Sequence, residues 1–203
     1  MIARALIVGC FALSALSVTA VAQDDPPAPE AETSLPANAS ALDRKVRLDR
    51  LLNRLATAPT PEDAKPYEAS IDVLWNQSGS DTADLLTTRA VDLVAAEDQQ
   101  GALKLLDAAL EARPDFAEGW NKRATLFFLS GDYVSAMSAI HETLRYEPRH
   151  YGAWAGLGKI LEQSGDDEKA LAAYRRALAI HPHLEGLRKN ADELEIKLKG
   201  EEL

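Results

Sequence analysis

The sequence predicts an all-α protein, a right-handed solenoid of helix–turn–helix repeats with an N-terminal helical hairpin and a C-terminal capping helix. Two observations predict this class. Aromatic residues make up only 6% of the 203-residue chain, and several segments are rich in alanine, which favours helices over strands. From residue 83 onward the sequence repeats with a period of 34, a length that few architectures use.

Residues 1–22 have the pattern of an export signal. Arg4 supplies a positive charge, an apolar run follows, and Ala20–Ala22 provides a small-residue cleavage site before Gln23. The apolar run is shorter than the ~20 residues that span a bilayer comfortably. We therefore expect cleavage after Ala22 and export, with the periplasm of a Gram-negative bacterium as the location.

Cys10 offers an alternative to this interpretation. The letters IVGC around it resemble a bacterial lipobox, in which the cysteine is lipidated. Only a short stretch separates Arg4 from Cys10, less than the roughly 7–15 residues of an ordinary apolar signal region, so the length favours the cleaved signal. The alternative function is a lipid-anchored accessory protein of envelope assembly. Because Cys10 is the only cysteine, the cleaved chain has no disulfide and no thiolate site.

The whole chain is acidic. Its formal net charge is -10, which repels phosphate backbones, so we expect no nucleic-acid partner.

Residues 23–39 contain four prolines and no apolar periodicity. This segment is predicted to be a disordered, extended tether.

Residues 40–82 are predicted to form a helical hairpin, either a divergent repeat unit or an N-terminal cap. Ser40 is the expected N-cap of the first helix, whose leucines recur at intervals of three and four. A capping box over Thr60–Asp63 begins the second helix, although Pro66 leaves its start open.

The first helix of this hairpin is basic. Its cations are Arg44, Lys45, Arg47, Arg50 and Arg54. Two aspartates, Asp43 and Asp49, dilute the charge, which favours an ordinary solvated helix face over docking on an anionic membrane or an acidic partner. Membrane contact through this helix is the less favoured interpretation.

Three repeats are predicted, over 83–116, 117–150 and 151–184. The second and third share eight identities at the 34-residue offset, among them Trp120 with Trp154 and Pro148 with Pro182. The helix over 185–203 is more charged. We expect it to cap the apolar end face that three stacked repeats leave.

The repeat motif resembles that of the tetratricopeptide repeat (TPR) family. The third repeat carries Trp154, Leu157, Gly158, Ala170, Tyr174, Ala177 and Pro182 at the family spacing. The first repeat is degenerate, with Leu86 in the tryptophan position and Glu97 in the turn-glycine position. Gly131 and Gly165 are expected to end helices in the left-handed conformation, and the aspartates that follow them are expected to cap the next helices.

No catalytic or metal-binding motif rises above background. Serine-nucleophile and phosphate-loop signatures are absent from the sequence. The four histidines, His141, His150, His181 and His183, are predicted to be solvated, and Arg149 and His150 to be substitutable. We expect no enzyme activity, no cofactor and no metal; a hydrolase or metal-binding protein is a distant third interpretation.

The resemblance to the TPR family implies a concave groove, lined mainly by first helices, that binds a peptide or helix of a protein partner. The implied groove residues are Thr87, Thr88, Val91, Asn121, Lys122, Thr125, Phe128, Lys159 and Glu162. The lysine–asparagine clamp by which some members hold a C-terminal carboxylate is not reproduced. The function expected is a non-enzymatic scaffold or adaptor in the cell envelope.

Overall fold

A computed structural model describes residues 37–201, with side chains from residue 42 to residue 200. The predicted signal over 1–22, Cys10 and tether residues 23–36 lie outside the described residues. Between residues 37 and 201 there are nine α-helices and no strand. They are α1 (Ala37–Ala56), α2 (Pro61–Trp75), α3 (Asp81–Ala95), α4 (Gln99–Ala112), α5 (Ala117–Leu129), α6 (Tyr133–Tyr146), α7 (Tyr151–Gln163), α8 (Asp167–Ile180) and α9 (Glu185–Glu201).

Three helix pairs form the repeats: α3 packs on α4, α5 on α6, and α7 on α8. Neighbouring pairs are joined by α4 against α5 and by α6 against α7, and α9 packs on α8. One pair cannot bury its apolar face alone, so the pairs stack. The predicted all-α repeat solenoid is confirmed.

The turns inside the repeats follow the predicted chemistry. Gly131 and Gly165 have φ angles of 78° and 76°, the left-handed region in which glycine carries no steric penalty. Asp132 and Asp166 then cap α6 and α8 by accepting backbone N–H groups. Glu97 adopts the same conformation in the first repeat, with a φ of 62°.

A hydrogen bond that recurs every 34 residues fastens each repeat to the next. The Nε1 of Trp120 donates to the carbonyl oxygen of Pro114, and the Nε1 of Trp154 donates to that of Pro148, both at 2.9 Å. In α9 the Nη2 of Arg188 donates to the carbonyl oxygen of Pro182 at 2.6 Å. The capping helix α9 therefore occupies the place of the first helix of a fourth unit.

Small residues set the separation of the two helices in a repeat. A Cβ at Gly158 would lie 2.4 Å from ring carbons of Tyr174, closer than real Cβ atoms approach. Ala124, Ala136 and Ala170 are buried at comparable contacts. These small residues allow the two helices to approach closely, because helix separation depends on side-chain size at the contact.

The predicted start of α1 is wrong, whereas the predicted N-cap of α2 is correct. α1 begins at Ala37, within the predicted tether, so the expected cap at Ser40 is wrong. The Thr60 cap is confirmed: its Oγ1 accepts the N–H of Asp63 at 3.1 Å. Pro66 lies inside α2, which starts at Pro61.

The α1–α2 hairpin packs along the edge of the solenoid where one repeat joins the next. Its buried core of Leu52, Leu55 and Ile71 contacts Tyr151 and Ile180 of the third repeat. In addition, α1 packs against α8. The hairpin thus braces the C-terminal half of the repeats.

The outer face of α3 is polar at a position that later repeats bury. Asp92 is exposed, whereas Leu126 and Ile160, one and two periods later, are buried in the stack. A terminal repeat needs a polar outer face for solubility. The first repeat is built as such an end unit.

Candidate partner-binding groove

Four of the residues that the resemblance implied lie around one open cavity between α3 and α5. Val91 comes from α3, and Asn121, Lys122 and Thr125 come from α5. We call this cavity the α3–α5 notch; it has a volume of about 250 Å³. Its remaining lining residues are Ala90, Val94, Leu106, Glu118, Leu126 and Leu129.

Much of the notch surface is apolar and open to solvent. Val91 is 50% exposed and Leu129 is 59% exposed, and Val94, which also lines the notch, is 38% exposed. The buried Leu106 and Leu126 form the floor. Exposed apolar side chains that surround a concavity are typical of a surface that another molecule covers.

The polar end of the notch is internally paired. Lys122 Nζ lies 2.9 Å from Glu118 Oε1, and Asn121 Nδ2 donates to Glu118 Oε2 at 3.1 Å. Burial would raise the pKa of Glu118, but hydrogen bonds from His150 and Lys122 outweigh it and lower that pKa to about 2. The Lys122 charge is therefore balanced by an ionised carboxylate, and the notch itself is close to neutral.

The first-repeat threonines take different positions from those implied. Thr87 is buried, and its hydroxyl has no hydrogen-bond partner. Thr88 is exposed, but its hydroxyl donates to the carbonyl oxygen of Asp84, one turn earlier in α3. Neither lines the notch.

The other three implied residues lie further along the first helices. Phe128 is half-buried, and its ring packs against Tyr133 with centroids 5.6 Å apart. Lys159 and Glu162 pair with each other at 3.1 Å, and Glu162 also accepts the hydroxyl of Tyr174 at 2.7 Å. The structure does not bring these three to the notch.

Two important lining residues, Val94 and Leu129, were not predicted. Val94 lies one period before Phe128, so the 34-residue alignment contained the signal that would have found it. Leu129 directly follows Phe128, and only the orientation of α5 shows that Leu129 is the more exposed of the two.

The prediction that the histidines are solvated is wrong for His150 and His181, which are 2% and 3% exposed. Both lie under α2, which the repeat alignment could not place. His150 is the N-cap of α7 and stacks on Trp75, so it is not a substitutable residue.

Two other kinds of site are absent from the described residues. Between residues 37 and 201, no three His, Cys, Asp or Glu side chains are placed to hold a metal ion. Over the same range no helix has the length and apolar character needed to cross a membrane.

Comparisons with known proteins agree with the repeat fold. A family profile described as tetratricopeptide repeat matches residues 87–142 and 136–185. A TPR repeat-containing protein of Rhizobium etli is 40% identical over 156 residues, which cover 77% of this chain and 76% of the relative. The chain belongs to the tetratricopeptide repeat family.

Two solved structures show the same fold at low identity. The first TPR of Spaghetti (RPAP3), bound to an HSP90 peptide, has a TM-score of 0.57 and 17% identity, covering 59% of this chain and 95% of that one. The O-GlcNAc transferase of Thermobaculum terrenum has a TM-score of 0.52 and 19% identity, covering 56% of this chain and 22% of the enzyme.

The TPR fold and the TPR relatives together indicate a protein–protein interaction scaffold. The fold is typically non-enzymatic, although one structural neighbour is a glycosyltransferase.

Proposed function

We propose that this TPR protein is an exported, non-enzymatic adaptor of the cell envelope that binds an apolar segment of a protein partner in the α3–α5 notch. The observation that carries the proposal is the convergence of Val91, Asn121, Lys122 and Thr125 on one open apolar cavity. Its volume of about 250 Å³ has room for a large aliphatic or aromatic side chain.

The pairing of the lysines supports an apolar anchor over a charged one. Lys122 is balanced by Glu118, and Lys159 is balanced by Glu162. A peptide carboxylate would have to compete with these carboxylates for the ammonium groups. An apolar side chain that enters the notch covers Val91, Val94 and Leu129 without breaking either pair, so burial of apolar surface supplies the affinity.

The test compares two valines of similar chemistry on different surfaces. Affinity capture from an envelope extract of the source organism, read by quantitative mass spectrometry, is done with the mature protein and with Val91→Glu. A charge inside the notch should abolish recovery of the specific partner. Val134→Glu is the matched control, because Val134 is 78% exposed on α6 and lies outside the notch.

Recovery of the same proteins by the Val91→Glu variant and by the native protein would contradict the proposal that the α3–α5 notch binds the partner. Circular dichroism of both variants checks that the helices are intact. A peptide library panned against the protein gives an independent result: selected peptides should share a large apolar residue rather than a C-terminal carboxylate.

The export part of the proposal rests on the sequence of residues 1–22. Intact-mass measurement of the protein isolated from its native cells tests it. A mature chain that begins at Gln23 supports a periplasmic adaptor. A lipidated chain that begins at Cys10 would replace it with the lipid-anchored accessory protein.

A further inference from the structure

One face of helix α2 packs on the repeats through an aromatic residue, Trp75, and an acidic residue, Glu68. Trp75 stacks on His150, with ring centroids 4.1 Å apart and an interplanar angle of 10°. Two turns earlier, Glu68 Oε1 lies 2.9 Å from His181 Nε2. The two histidines belong to different repeat junctions, so α2 bridges both junctions.

His150 is held in one neutral tautomer by its neighbours. Its Nδ1 accepts the backbone N–H of Ala153 at 3.1 Å and caps α7. The ring proton is therefore on Nε2, which donates to Glu118 Oε2 at 2.9 Å. A second proton on Nδ1 would remove the cap and place positive charge at the N-terminus of a helix, where the helix dipole opposes it.

His181 has the same arrangement at the next junction. Its Nδ1 accepts the N–H of His183 at 3.3 Å, which leaves Nε2 to donate to Glu68. The ring is buried and meets Tyr151 edge-on, with centroids 5.0 Å apart. His183 Nε2 donates to the carbonyl oxygen of Ala58, so the same loop also holds the turn between α1 and α2.

We propose that the α1–α2 hairpin is a pH-sensitive clamp, held closed by neutral His181 beneath α2 and released from the repeat junctions when this histidine takes up a proton. Release uncovers Trp75 and the junction surface of the third repeat, while the repeats themselves stay folded. The clamp is a property of the hairpin interface and does not depend on the function proposed for the notch.

The surrounding charges set the direction of the response. His150 faces Glu118 and Lys122 on α5 and Asp72 on α2, and His181 faces Glu68 and Asp72 on α2 together with His183 and the ring of Tyr151. Burial lowers the pKa of His181 below its ordinary 6.5, against the opposing effect of Glu68. Glu118 stays ionised through this range because its pKa is about 2. Burial raises the pKa of Asp72, so Asp72 does not favour release in acid.

The lowered pKa of His181 in the closed state sets the sign of the pH dependence. Well above pH 6.5 His181 is neutral whether the clamp is closed or open. Below pH 6.5 the open hairpin binds a proton at His181 that the closed hairpin excludes, so the closed state loses stability as the pH falls toward the lower pKa of the closed state. The opening equilibrium should rise by up to about tenfold per pH unit.

Hydrogen exchange read by mass spectrometry on the whole mature protein tests the clamp between pH 5 and 8, with rates corrected for intrinsic exchange. Peptides from α1 and α2 should lose protection below pH 6.5, whereas peptides from α3 to α6 should keep it. In His181→Gln the protection of the hairpin should no longer depend on pH. His141→Gln, which changes an exposed histidine of α6, should behave as the native protein does.

Loss of protection in the hairpin and the repeats at the same pH would overturn the clamp, as would a pH slope that survives in His181→Gln. If that variant does not fold, titration of the native protein by NMR decides. The His181 ring should titrate below its ordinary 6.5 while the hairpin amides are protected. A His181 ring that titrates at or above 6.5 within a protected hairpin would overturn the proposal.

Discussion

Glu97 occupies the helix-ending position that glycine holds in the next two repeats. Its φ of 62° lies in the left-handed region, where a residue with a Cβ pays roughly 1–2 kcal/mol. The N–H of Asp98 nevertheless bonds to the carbonyl oxygen of Leu93 at 2.8 Å, as in the other turns. The turn geometry is kept although the residue suited to it is absent.

Glu97→Gly should therefore raise the free energy of unfolding, by about 0.5–1 kcal/mol once the added flexibility of the unfolded chain is deducted. Urea denaturation followed by circular dichroism measures the change. The control is Ala96→Gly at the preceding position, where φ is -88° and glycine relieves no strain, so stability should fall. Equal effects of the two substitutions would contradict the account of this turn.

Thr87 carries a buried hydroxyl without a partner, which costs about 1–3 kcal/mol. Thr87→Val keeps the shape and removes the polar group, so the midpoint of thermal unfolding should rise. Thr88→Val is the neighbouring control; its exposed hydroxyl already bonds within α3, and its effect should stay within roughly 0.5 kcal/mol. A lower stability of Thr87→Val would show that the hydroxyl has a partner.

At the scale of the elements, α9 is fastened by Arg188 in the place where earlier units use tryptophan. Arg188→Met keeps an apolar stem of similar length and removes the hydrogen bond to Pro182. We expect a loss of about 0.5–1.5 kcal/mol and faster hydrogen exchange at the start of α9. Lys189→Met, at the next and exposed position, should leave both measurements nearly unchanged. Similar losses in both variants would contradict a role for this bond.

The elements that repeat were predictable, because each contact recurs at the same offset. The glycine turns at Gly131 and Gly165, the aspartate caps and the tryptophan junctions all follow from the 34-residue alignment. The same alignment pairs Val94 with Phe128, so it could also have predicted Val94 as a lining residue.

The docking of the hairpin was not predictable in this way. The contact between Trp75 and His150 joins residues far apart in sequence and has no equivalent in another repeat. Without it, His150 and His181 look like ordinary loop histidines. The same absence of a pattern explains why the start of α1 was placed four residues late, since the residues before Ser40 have no apolar periodicity.

At the scale of the whole molecule, the hairpin and the notch lie on different repeats of the solenoid. The hairpin packs against the third repeat and its junctions, whereas the notch lies between the first and second repeats. Lys122 and Glu118 lie where the two regions meet, because Glu118 bonds both to Lys122 and to His150. A partner in the notch would therefore contact the same ion pair that supports the clamp.

Site-specific photo-cross-linking in the native cells tests the central claim most directly. A photoreactive phenylalanine analogue replaces Val91 in the notch or, in a separate strain, Val134 on α6. We expect a cross-link to a defined protein partner from position 91, at an apolar segment of that partner, and none from position 134. The same cross-linked proteins from both positions, or a product from position 134 alone, would contradict it.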